Sequence, residues 1–294
     1  MGNRGEEHLS KLIGNTPHTE MSLPPELIDR VLKSLRNDTK SLQATALVSK
    51  AWASWSQAYL FESVHLSPDN IERWHKNISP DHDGPASYTR TLTLEEYHLQ
   101  PWINPQYLDF PLSNLVSFRN IKSLSLAQWN GTLFNGASPE PYFGHFGQSL
   151  RLLNLRFCEL DPVILFDLLS LLPNVQDLII SYLIPHHGTP DTIPDAPEVT
   201  PSFRGTLWLN DLNSEHLILK ALAVLPLHFT TIRFRACAFR EPDAYQMLLT
   251  SCRDTLVALH FEICFRGTSG VHPGSIQPVL NFLHFQIGPF RTSR

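Results

Sequence analysis

One spacing recurs seven times through the last two thirds of the chain, and it limits the fold more than any single residue does. The spacing is apolar-x-x-apolar-x-apolar-x-x-apolar, with Cys admitted at the last place. It is met by Ile121, Leu124, Leu126 and Trp129, by Leu150, Leu153, Leu155 and Cys158, and by Val175, Leu178, Ile180 and Leu183. It returns at Phe229, Ile232, Phe234 and Cys237, and at Leu256, Leu259, Phe261 and Cys264. Two copies lack the first anchor: Thr89 stands before Leu92, Leu94 and Tyr97, and Arg204 before Leu207, Leu209 and Leu212. The third anchor falls at 94, 126, 155, 180, 209, 234 and 261, a period of 25 to 32 residues. The two central anchors are two residues apart, so each copy predicts a short strand with one buried face. Between strands, 162–172, 214–225 and 242–253 carry apolar residues at spacings of three and four, which predicts helices. One copy cannot bury its own face, so the copies have to stack on one another.

Template and period together resemble the leucine-rich repeat, in the form where Cys often takes the last anchor. The resemblance implies an α/β fold over 89–294, a solenoid with a curved parallel sheet and outer helices. A compact α/β domain of another type is the competing expectation. At the repeat position Cys158, Cys237 and Cys264 point into the core and act as small apolar fillers rather than metal ligands or reactive thiols. Cys252, near a helix end, reads as structural too. The connection 185–202 has five prolines with Asp191, Asp195 and Glu198, and reads as an extended loop. His186 and His187 lie within it without a fixed third ligand, so a metal is not expected. Residues 275–285 read as a helix through Ile276, Val279, Leu280 and Leu283, with no strand after it. The solenoid then either ends without an evident polar cap or is truncated.

A second stretch, 22–61, has a different character. Leu23-Pro24-Pro25-Glu26 opens a helix, with proline tolerated in the first turn and Ser22 available as a cap. Leu27, Ile28, Val31, Leu32 and Leu35 form its apolar stripe. Asn37-Asp38-Thr39 breaks the pattern. Leu42, Ala46 and Leu47 suggest a second helix, and Ala51, Trp52, Trp55 and Tyr59 a third. From periodicity alone, three short helices are too small to bury a full core and read as a cap on the domain after them. The order LPPELIDRVLKSL, polar break, LQATALVSKAWASW and YLFESVHL closely resembles the F-box, over about residues 21–66. The resemblance implies docking on the small Skp adaptor of a cullin–RING ubiquitin ligase. By it, Leu23, Pro24, Pro25, Ile28, Leu32, Leu47, Val48 and Trp52 form or support the docking face. Residues 1–20 then read as a flexible tail. Residues 67–88, with Pro68, Pro80, Gly84 and Pro85, read as a linker that is partly helical over 70–76.

Composition excludes more than it assigns. In 294 residues, 42% are hydrophobic and 17% charged, as in folded soluble proteins. A net charge of −5 gives no general reason to bind nucleic acid or an acidic membrane. The polar N-terminus has no secretory pattern, Glu6 breaks the myristoylation motif at Gly2, and the apolar run near 163–172 is interrupted by Asp167. Four cysteines in that setting predict reduced thiols in cytoplasm and/or nucleus. The sequons at Asn37, Asn77 and Asn130 then read as chance matches. The sequence has no phosphate-cradling glycine loop, H-E-x-x-H, G-x-S-x-G or C-x-x-C. No cofactor and no catalytic residue is therefore expected.

If the anchors are buried, the residues between them face the opposite way. These are Asn154 and Arg156, Asp177 and Ile179, Trp208 and Asn210, Arg233 and Arg235, His260 and Glu262. Arg156, Trp208, Arg233 and Arg235 have the composition of an interface hot spot and form the candidate target patch, suited to an acidic segment. The resemblances together imply a non-catalytic substrate receptor of a Skp–cullin–F-box ubiquitin ligase. Two alternatives stand beside it: an adaptor-bound structural protein that never meets the cullin, and, more remote, an enzyme or ligand receptor with a cryptic site.

Overall fold

The computed structural model describes residues 23–75, 84–96, 112–129, 138–160, 162–183, 203–212, 215–225, 227–235, 242–264 and 282–287. The tail 1–20, the connection 185–202 with His186 and His187, Asn77, Asn130, Tyr97 and Cys237 lie outside them. So does the side chain of Cys264. The chain divides into two compact units, Met1–Ser56 and Gln57–Arg294.

The described part of the first unit is helical. Helix α1 spans Pro25–Ser34, α2 Thr39–Ala46 and α3 Lys50–Leu60, the last running on across the boundary. Pro25 takes the first turn of α1, but the capping position is Pro24, which has no side-chain acceptor; Ser22 lies outside the described residues. Helix α2 does have one. The Asp38 carboxylate accepts the Ser41 N–H at 3.1 Å and the Ser41 hydroxyl at 2.7 Å, and these bonds hold its pKa below the usual carboxylate value. Ile28, Leu32 and Leu42 are the buried apolar residues among those described in this unit. On α3 the fully buried residue is Ser56, not a tryptophan; its hydroxyl lies 2.9 Å from that of Thr45 on α2.

The second unit is a layered α/β stack. Among the described residues nine strands lie side by side in chain order. They are β1 Ser63–Leu66, β2 Thr91–Glu95, β3 Ser123–Ala127, β4 Leu152–Arg156, β5 Asp177–Ser181, β6 Thr206–Asn210, β7 Thr231–Arg235, β8 Ala258–Cys264 and β9 Phe282–Ile287. The first eight are parallel, and β9 runs antiparallel to β8. Leu94, Leu126, Leu155, Ile180, Leu209, Phe234 and Phe261 are direct partners across the sheet, so the third anchors of all seven copies form one row. They join a single apolar cluster with residues of α7 (Pro162–Ser170), α8 (Glu215–Val224) and α9 (Pro242–Ser251), which lies on one side of the sheet. Short helices α4 (Ile71–His75), α5 (Pro85–Tyr88) and α6 (Glu140–Phe143) fill the earlier connections.

Three features depart from the sequence reading. The sheet begins one strand earlier, at β1, whose Val64 and Leu66 are buried anchors within the stretch assigned to the N-terminal helices. The end of the chain holds a strand over Phe282–Ile287, where a helix over 275–285 was expected. Phe282-Leu283-His284-Phe285-Gln286-Ile287 can be read with either period, and hydrogen bonding to β8 decides it. The copy on β6 does not lack its first anchor, because Phe203 supplies it one residue early, fully buried and stacked on Phe229 at 5.4 Å.

Backbone bonding explains how irregular copies stay in register. The carbonyl before a strand accepts two N–H groups from the start of the next copy. Arg90 O takes Lys122 and Ser123, Lys122 O takes Arg151 and Leu152, and Arg151 O takes Gln176 and Asp177, all at 2.7–3.0 Å. The shifted copy on β6 breaks this pattern. Gln176 O receives Gly205 N–H, while Thr206 N–H turns to the Asp177 carboxylate at 3.0 Å.

Candidate interaction surfaces

Two surfaces carry the residues singled out by sequence. The first lies on the N-terminal helices. Leu23, Leu27, Val31, Leu47, Val48 and Trp55 are the exposed large apolar residues there, and Leu47 is 87% exposed. Leu27 and Val31 are four residues apart and line one edge of α1, and Leu23 stands just before its cap. Of the eight candidate docking residues, Leu23, Pro24, Pro25, Leu47 and Val48 are exposed, Trp52 is half-buried, and Ile28 and Leu32 are inside. A shallow groove of about 550 Å³ runs beside Pro25, Glu26, Asp29, Arg30, Lys33 and Trp55.

The second surface is the face of the sheet turned away from the apolar cluster. Strand alternation puts Asn154 and Arg156, Ile179, Trp208 and Asn210, Arg233 and Arg235, His260 and Glu262 on it. Trp208 and Arg233 are direct partners on β6 and β7, and the guanidinium lies 4.7 Å over the indole ring. Trp208 is therefore half-buried, not fully open. Arg235 Nε is 3.2 Å from Glu262 Oε1 on β8. Arg156 is exposed two strands from β6, so it joins the same face at about 10 Å from the Trp208 strand. Asn210 donates to the Ser181 hydroxyl at 3.0 Å in the interval between them. At the far end of the sheet His65 and Glu95 pair at 2.8 Å, and β2 and β3 present Thr91, Thr93, Ser123 and Ser125. Large and charged side chains thus concentrate on β4 to β8. Asp177 belongs to the backbone bonding described above rather than to this face's recognition chemistry.

One feature was not anticipated. The residue directly after β3, β4, β5 and β6 has a left-handed backbone: Gln128, Phe157, Tyr182 and Asp211, with φ of 50 to 55°. Each still donates its N–H to the carbonyl ending the neighbouring strand, as Phe157 does to Ser181 at 2.9 Å. The conformation costs a non-glycine residue roughly 1–2 kcal/mol. Two of the four are aromatic and stack on each other, ring centroids 4.5 Å apart and 11° from parallel, with Phe157 40% exposed. The stack returns about 0.5–1.5 kcal/mol, of the order of one residue's strain. Periodicity hid the pair, because both fall at the unassigned places of the template.

Cys158 is fully buried, with its thiol 3.3 Å from the Leu126 carbonyl, and burial pushes its pKa up to about 12. Burial also raises the pKa of Cys252. Neither is an ionisable nucleophile near neutral pH. Among the described residues no three His, Cys, Asp or Glu side chains are placed to hold a metal, and no helix is long and apolar enough to cross a membrane. An apolar recess of about 850 Å³ lies between α9 and the Phe234 and Phe261 rings. No family model matches the chain, and no curated protein matches it significantly.

Proposed function

We propose that this chain is the substrate-recognition subunit of a Skp–cullin–F-box ubiquitin ligase, with an F-box at residues 21–66 and leucine-rich repeats after it. The observation that carries the reading is the open apolar surface of the N-terminal helices. Leu23, Leu27, Val31, Leu47 and Val48 stay exposed on the three short helices described there, while Ile28, Leu32 and Leu42 are buried between them. Solitary exposed apolar residues are ordinary, but five large ones on three short helices suit a surface that a protein partner covers. Leu23, Pro24, Pro25, Leu47 and Val48 would contact the Skp adaptor, with Trp52 at the margin. Ile28 and Leu32 would hold the helices in place beneath them.

The repeats would then carry the target on the charged face of β4 to β8, with Arg156, Trp208, Arg233 and Arg235 in its recognition patch. No residue of this chain performs the chemistry. Holding a target beside a conjugating enzyme raises the effective concentration of its lysines. The reading carries with it a location in cytoplasm and/or nucleus and needs no cofactor.

The test is affinity purification of the full chain and of a variant with Leu23→Asp and Leu47→Asp. Adaptor and cullin should both co-purify with the unchanged chain and both be lost from the variant. Adaptor without cullin would favour the non-ligase scaffold. Recovery of neither from the unchanged chain would end the proposal.

A further inference from the structure

The stacked Phe157–Tyr182 pair has no role in the core and stands on strained backbone at the rim of the charged face. Directly before Phe157 stands Arg156, exposed and with no carboxylate partner among the described residues. Three strands away Arg233 lies over Trp208, also without a carboxylate partner among them, beside the Arg235–Glu262 pair. The face therefore has two cationic points, each next to an aromatic surface. Arg156 shares a row with Arg235, so Arg233 lies three strand spacings across and two residues along from it, about 16 Å away, the reach of about five extended residues. Ser181 and Asn210, bonded to each other, make a low polar floor between them.

We infer that this face binds an extended acidic peptide lying across the strands. One carboxylate would meet Arg156 with a neighbouring planar side chain, aromatic or proline, on the Phe157–Tyr182 stack. A second carboxylate about five residues on would meet Arg233 over Trp208. The inference deepens the receptor reading above and rests on it for the peptide's role as target. Charge complementarity selects the occupant: among the described residues the two arginines are uncompensated. A nucleic acid does not fit, because Asp211 and Glu262 interrupt any continuous basic stripe.

The experiment is fluorescence anisotropy with the full chain and a labelled synthetic ten-residue peptide. The peptide has two glutamates five positions apart and a tryptophan beside the first. Controls replace the glutamates by glutamine, or the tryptophan by serine. The parent peptide should bind at least about tenfold more tightly than either control, a difference of about 1.4 kcal/mol. Phe157→Asn should remove the preference for tryptophan, and Arg156→Gln that for the first glutamate. Asparagine tolerates the left-handed backbone, so Phe157→Asn should unfold no more easily than the parent. Equal binding of all three peptides would overturn the inference, as would full selectivity in Phe157→Asn. Tighter binding of a single-stranded RNA ten-mer would also overturn it. So would a large gain in affinity when Asp191, Asp195 and Glu198 become amides, since the chain's own connection would then be the occupant. The two readings fail separately. Loss of adaptor and cullin with peptide selectivity intact would remove the ligase role alone. Loss of selectivity while Trp208→Ala with Arg233→Ala still changes the captured partners would remove the peptide inference alone.

Discussion

Gly205 sits where a side chain has no room. A Cβ there would press on the Gln176 carbonyl, 2.8 Å from its carbon, and lie 2.9 Å from the Asp177 carboxylate. Gly205→Ala should therefore lower stability by about 1–3 kcal/mol in urea unfolding. Asp177→Ala should cost a similar ~1–3 kcal/mol by leaving the Thr206 N–H without its acceptor. Cys158 gives a pH signature. Its pKa is about 12 when folded against an ordinary value of 9.0, so its contribution is complete below pH 9.0 and is lost as pH rises toward about 12. Stability of the parent should fall more steeply across that window than that of Cys158→Ala, measured by denaturant titration at several pH values. Cys158 was legible from its place in the spacing. Phe157 and Tyr182 were not, because nothing in local propensity puts an aromatic ring on left-handed backbone. Only the neighbouring copy, which supplies the stacking partner, makes sense of either.

Elements were legible where one period dominated. Anchors at 94, 126, 155, 180, 209, 234 and 261 named the strands and their register, because only residues on the same row can share one core. Strand β1 also carried the signal, in Phe61, Val64 and Leu66, but it directly follows α3 and was absorbed into the helical stretch. The last strand failed for a different reason: its residues fit two periods, and the partner that decides lies well back in the chain. In the N-terminal unit the stripes predicted helices correctly but not which side is covered. Leu27 and Val31 lie in the apolar stripe and are open, while Ser56, which belongs to no stripe, is buried with Thr45. Trp52 belongs to this level. Trp52→Ala should weaken adaptor capture by about tenfold or more while shifting the melting temperature of the repeat unit by less than about 4 °C. Equal losses in both would show that α3 supports the two units alike.

At the scale of the molecule, order along the chain equals order across the sheet, so each copy is held by the two beside it. Hydrogen exchange should follow that geometry: amides of β3 to β6 slowest, those of β1 and β8 faster, in a smooth gradient rather than one cooperative block. A flat profile would mean that the stack unfolds as a unit. The shared carbonyls have a further consequence. They fix only the strand and the residues immediately before and after it, so the lengths between strands are left free, and successive third anchors differ in spacing by up to seven residues. Outward residues can be exchanged without disturbing anchors, and connections lengthened without disturbing register. For protein engineering, this makes the second unit a frame on which a new recognition surface could be written a few residues per strand, with the N-terminal helices kept as a separate handle.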